Sequence, residues 1–146
     1  MKILFNCTTD NCTTDDQYRH TPLILAALNN NVEVVRVLLE GGVNVEKANA
    51  NQVTALHYAA YFGYLEVCRL LLDWRAKVDP LDWLKETPLH DAARSGQLSV
   101  AKLLVERGAD VRLKNDKGQT ASDMARSKGK TYVAEWLDLL SLGKVL

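Results

Sequence analysis

Four segments of the chain align without a gap: TPLILAALNN from Thr21, TALHYAAYFG from Thr54, TPLHDAARSG from Thr87 and TASDMARSKG from Thr120. Their threonines are 33 residues apart each time. A fixed period of roughly 20–50 residues marks stacked units, each too small to bury its own apolar face. The period therefore restricts the chain to a solenoid before any single residue is weighed. It also argues against catalysis in TPLHDAARSG, because a nucleophile or base occurs once and this pattern recurs.

The repeated residues have physical tasks. Each Thr is placed to cap a helix, its hydroxyl accepting from a free amide of the first turn. Pro22 and Pro88 follow at the first helical position, where a missing N–H costs nothing. Leu23, Leu56 and Leu89 begin an apolar face, which the pairs Ala26/Ala27, Ala59/Ala60 and Ala92/Ala93 continue. Small side chains there let another helix approach closely. Asn30, Gly63, Gly96 and Gly129 end the helix, because Asn and Gly tolerate a left-handed backbone.

A second helix follows at once. Val34, Val67, Val100 and Val133 correspond, as do Val37, Leu70, Leu103 and Trp136, and then Leu38, Leu71, Leu104 and Leu137. Spacing of i, i+3, i+4 is one stripe of an amphipathic helix. Gly42 and Gly108 close it, and GVNVEKANANQV and GADVRLKNDKGQ lead to the next Thr as long loops or β-hairpins. The predicted fold is all-α: four helix-turn-helix units at 16–48, 49–81, 82–114 and 115–146, after an N-terminal segment 1–15.

The pattern T-P-L-H-x-A-A, then Gly, a V-x-x-L-L helix and a G-A-D-V loop resembles the ankyrin-repeat family. Thr87, Pro88, Leu89, His90, Ala92, Ala93, Gly96, Val100, Leu103, Leu104, Gly108, Ala109, Asp110 and Val111 carry it in one unit. The resemblance covers Asp16 to Leu140. It implies a protein-binding scaffold without catalysis, cofactor or metal, whose loop tips and first helices line a concave groove.

Several positions depart from the pattern. Arg75 stands where Gly42 and Gly108 stand, so a reshaped turn is expected there. Ile24 replaces His in the first unit. The fourth carries Ser122, Asp123, Arg126, Thr131 and Asp138 at positions that differ elsewhere, most of them apolar, which suits a polar C-terminal cap. The first unit shows no such conversion. Either residues 1–15 cover it, with Lys2–Phe5 as a degenerate preceding unit, or the chain is cut from a longer array.

Lys and Arg together number 18, as do Asp and Glu, which gives no general attraction to nucleic acid or anionic membrane. No apolar run approaches the ~20 residues of a membrane span, and MKILF is too short for a signal-peptide core. The NCT triplets at Asn6 and Asn11 are therefore read as coincidental glycosylation matches. The expected setting is intracellular, cytoplasmic or nuclear, with the chain a monomer or part of a hetero-complex. Cys68 falls on an apolar helical stripe, while Cys7 and Cys12 lie in a duplicated polar tract. Two clustered Cys, even with His20, fall short of the four ligands of a zinc site.

Three polar constellations invite a catalytic or metal reading. Neighbours on a helix are turned by about 100°, so His90 and Asp91 face apart and cannot serve as base and orienting carboxylate. A hydrolase would need Ser95 or Ser99 to converge on both. His57 and His90 recur on successive units, about 8–10 Å apart if helices pack normally, too far to share a metal. Both are expected to be neutral structural histidines.

Function is thus expected on surface positions that vary between units. Tyr58, Tyr61 and Phe62 are turned roughly 140–240° from Leu56, away from the packing face. Their counterparts are Leu25, Leu28 and Asn29 before them and Asp91, Arg94 and Ser95 after them. Trp83 and Leu84 occupy the adjoining loop tip. The predicted partner-binding set is Leu25, Leu28, Tyr58, Tyr61, Phe62, Trp83, Leu84, Glu86, Asp91 and Arg94, with Glu86, Asp91 and Arg94 as a polar rim. The expected partner is another protein. A purely structural segment of a longer scaffold is the alternative.

Overall fold

The computed structural model describes residues 17–143; the expectation for Lys2–Phe5 and the Cys7/Cys12 tract lie outside them. Eight helices run in four antiparallel pairs: α1 (Pro22–Leu28) with α2 (Val32–Glu40), α3 (Ala55–Phe62) with α4 (Leu65–Asp73), α5 (Pro88–Ser95) with α6 (Leu98–Glu106), and α7 (Ala121–Ser127) with α8 (Thr131–Ser141). First helices stack in the order α1, α3, α5, α7, and α2, α4 and α6 stack beside them. The Ala pairs make this possible: Ala27, Ala59, Ala60, Ala92 and Ala93 are fully buried between neighbouring helices.

Every first helix begins as its threonine dictates. Thr21, Thr54, Thr87 and Thr120 each accept from the amide three residues on. His57 and His90 complete the cap by accepting the Thr54 and Thr87 amides at Nδ1, both at 3.1 Å. Asp123 does the same in the fourth pair, its Oδ2 accepting the Thr120 amide at 3.0 Å. Gly63 and Gly96 close α3 and α5 in the left-handed conformation, φ 75° and 78°.

The loops are not hairpins: there is no strand among the described residues. Asn49, Asp82 and Asn115 explain why. Each Oδ1 accepts the amides two and four residues on, so these donors are taken up within the loop and do not feed a ladder. Successive loop tips are joined by one backbone bond per junction: Ala50 N–H to Tyr18 O, Trp83 N–H to Asn51 O and Asp116 N–H to Leu84 O.

Two expectations are corrected. In α2 the buried residues are Val35 and Leu39, while Val37 is 64% exposed. Among the described residues α2 packs mainly on α1 and α4, with no preceding unit against its outer side, so Val34, Val37 and Leu38 stay partly or largely exposed there. The turn at Arg75 is not reshaped. Arg75 takes φ 68°, and the Ala76 amide bonds Leu71 O just as Val43 bonds Leu38 O and Ala109 bonds Leu104 O. The exposed arginine accepts a conformation that suits glycine. Arg75→Gly is expected to raise stability by about 1 kcal/mol in urea melts; an unchanged or lowered midpoint would show that the turn is unstrained.

The polar conversions of the fourth pair form one network. Asp138 accepts from the Ser122 hydroxyl and pairs with Arg126, which also meets Asp123 at 3.6 Å. Arg126 occupies the place of the buried Ala93. It is tolerated because no helix beyond α7 packs there among the described residues.

Candidate interaction cavity between the second and third helix pairs

The α3–α5 junction is held by His57. With Nδ1 accepting from Thr54, the imidazole carries its proton on Nε2 and donates it to Glu86 O at 2.9 Å. His90 repeats this one unit later, donating to Gln119 O at 3.0 Å. Burial lowers the pKa of His57, outweighing the backbone oxygens and carboxylates that favour its charged form. It is a neutral latch between units, as expected.

Above this junction opens a cavity of about 500 Å³. Tyr58, Tyr61 and Phe62 wall it from α3, and Trp83 and Leu84 from the following loop tip. Asp82, Glu86, Asp91 and Arg94 line it from the third unit, with Val53 and His57 completing it. Tyr61 and Phe62 meet edge to face at 5.1 Å, and Phe62 stacks on Tyr64 at 5.6 Å. Tyr61, Phe62 and Trp83 are exposed, Trp83 by 62%.

Eight of the ten residues expected on the partner face thus come together. Leu25 and Leu28 do not line the cavity; both are partly buried, and Leu28 packs against the core. The expected polar rim is corrected in position. Glu86 and Asp91 are 4% and 5% exposed and form a floor, because Arg94 folds back and pairs with both, reaching Glu86 Oε1 at 3.1 Å. The Arg94 guanidinium also lies 5.5 Å from the centre of the Tyr61 ring. Burial raises the Asp91 carboxyl well above the ordinary range, and the charges of Asp82 and Glu86 add to this against the pull of Arg94.

Asp82 was not among the expected site residues. Its signal lay in the sequence: Asn49, Asp82 and Asn115 each stand five residues before the capping Thr, and an acid at an asparagine position marks a difference between units. Ligand atoms of His57, Asp82 and Asp91 lie within 4.8 Å of one another, close enough to suggest a metal. The chemistry of the donors disfavours one. Both His57 nitrogens are engaged, one accepting and one donating, so the ring offers no lone pair. Ser95, His90 and Asp91 do not converge either: Ser95 Oγ donates to Asp91 O at 2.9 Å, and the Asp91 carboxylate meets Arg94.

No helix among the described residues is long and apolar enough to cross a membrane. The family model described as ankyrin repeats matches the chain in three copies, at residues 1–82, 51–115 and 77–140. A stretch of 59 residues, 40% of the chain, is 41% identical to part of the E3 ubiquitin-protein ligase KEG of Arabidopsis thaliana and spans 4% of that protein's length.

Proposed function

Because the chain belongs to the ankyrin-repeat family, whose repeats generally mediate protein–protein contacts and are typically not enzymes, we propose that it is a non-enzymatic binding module that docks a partner protein over the cavity between its second and third units. Unit boundaries at 48/49, 81/82 and 114/115 go with this reading, as does an intracellular site of action in a monomer or hetero-complex.

One observation carries the proposal. Tyr61, Phe62 and Trp83 expose large aromatic surface around a cavity whose floor is polar and buried. Exposed aromatics beside a concave, mainly apolar wall are the usual anchors of an interface. Leu25 and Leu28 extend the same side of the stack towards the first unit.

The test compares full-length chain with Tyr61→Ala, Phe62→Ala and Trp83→Ala in affinity capture from native lysate, followed by titration of the captured partner. Each variant is expected to weaken binding by more than about 1 kcal/mol, roughly fivefold or more, with a helical circular dichroism spectrum unchanged. Equal loss of fold and binding would make these residues core. The exposed Val37 favours a second reading, in which the chain is a structural segment meeting further repeats. A structural segment of that kind would lose no partner in any of the three variants.

A further inference from the structure

The carboxylates on the cavity floor are not required by the repeat. The place of Asp82 is taken by Asn49 and Asn115 in the adjoining units, that of Glu86 by Val53 and Gln119, and that of Asp91 by Tyr58 and Met124. All three acids therefore gather at one junction, at positions that are neutral in the adjoining units. Asp82 makes the point most sharply. Its Oδ1 does the work of the loop, accepting the Leu84 and Glu86 amides at 2.9 Å, as the Asn49 and Asn115 oxygens do in theirs. At the second atom the units differ. Asn49 Nδ2 donates to Tyr58 Oη and Asn115 Nδ2 to Glu86 Oε2, both at 3.0 Å, whereas Asp82 Oδ2 makes no hydrogen bond among the described residues. Yet Asp82 is only 8% exposed and lines the cavity.

Among the described residues Arg94 is the only cationic side chain lining this cavity, against three acids. With Oδ1 held by two amides, Asp82 keeps Oδ2 available to accept from a cation supplied from outside. The cavity already holds one guanidinium in the manner required, with Glu86 and Asp91 beside it and the Tyr61 ring 5.5 Å away. Phe62 and Trp83 offer two further aromatic surfaces on the same cavity, suited to the alkyl stem and the charge of a second cation.

Resting on the docking role proposed above, we infer that the cavity receives a basic side chain, lysine or arginine, from the partner protein, with its charge on Asp82 and its stem against Phe62 and Trp83. Charge complementarity thus sets the chemistry of the partner: an exposed segment with a protruding basic residue.

The test needs no knowledge of the partner. Full-length ¹⁵N-labelled chain is titrated with Nα-acetyl-arginine amide and Nα-acetyl-lysine amide, with Nα-acetyl-citrulline amide as the uncharged control. The readout is the indole N–H signals of the three tryptophans, Trp74, Trp83 and Trp136. Both cations are expected to shift the Trp83 signal saturably at millimolar concentration while Trp74 and Trp136 stay in place. Citrulline is expected to have no saturable effect. Asp82→Asn is expected to weaken the cations at least fivefold with an unchanged melting point, because asparagine serves the same loop in the adjoining units. Phe62→Ala is expected to weaken them as well. No saturable shift with either cation, an equal response to citrulline, or undiminished binding by Asp82→Asn would overturn the inference. If the probes fail while Trp83→Ala still releases the captured partner, the cation is disproved and the docking face stands.

Discussion

His57→Ala is expected to destabilise the protein by about 3 kcal/mol at neutral pH. The imidazole is fully buried and closes two contacts at once, with the Thr54 amide at 3.1 Å and Glu86 O at 2.9 Å. Alanine leaves a buried amide without its acceptor, takes one of two donors from Glu86 O and opens a cavity; each of these contributes roughly 1 kcal/mol or more. The pH dependence supplies an independent check. An unfolded histidine titrates near 6.5, and burial lowers the folded value. The stability that neutral His57 provides is therefore fully present above about 6.5 and is lost as pH falls through the folded value. Urea melts should show the difference between wild type and His57→Ala narrowing over that acid window. A constant difference would mean that His57 is not a neutral latch.

The second large effect concerns the middle of the stack. Leu104 is fully buried in α6, and Leu104→Ala is expected to cost about 3 kcal/mol, as cavity formation in a packed core does. Leu38 holds the equivalent place in α2 but is only partly buried, at the end of the described stack. Leu38→Ala is expected to cost about 1 kcal/mol. The contrast follows from nearest-neighbour stability in a solenoid: an interior unit is buried on two sides and a terminal one on fewer. Equal losses at the two positions would show that place in the stack does not set the cost.

The starts of the four first helices were legible in the sequence to the residue, because capping is local: a Thr hydroxyl needs only the amide three positions on. The α2 stripe was less so. Periodicity identifies an apolar face but not its rotation against neighbours, and Val35 and Leu39 are buried where Val34, Val37 and Leu38 were expected. For the cavity, the direction of Tyr58, Tyr61 and Phe62 followed from 100° per residue. The depth of Glu86 and Asp91 did not, since it depends on Arg94 folding back from its own helix to meet both. Asp82 was missed because its work for the loop and its contribution to the cavity come from two oxygens of one side chain. Arg75 carried the opposite lesson. The turn kept its left-handed form because the bond from the Ala76 amide to Leu71 O is backbone alone and does not consult the side chain.

The His57–Glu86 bond and the backbone bond from Trp83 to Asn51 cross the same junction that the cavity overlies. Tyr61 and Phe62 stand on one side of it and Trp83 and Arg94 on the other, so no covalent neighbour fixes the width of the opening. The width of the opening therefore depends on how the two units are tilted on each other, as the gap of a pair of tongs depends on its pivot. His57 lies at that pivot, fully buried, while Tyr61 and Trp83 lie out at the tips, exposed. A rocking of one unit on the other about that bond would change the gap between Tyr61 and Trp83 more than the spacing at His57, and the Arg94 guanidinium against the Tyr61 ring would resist it.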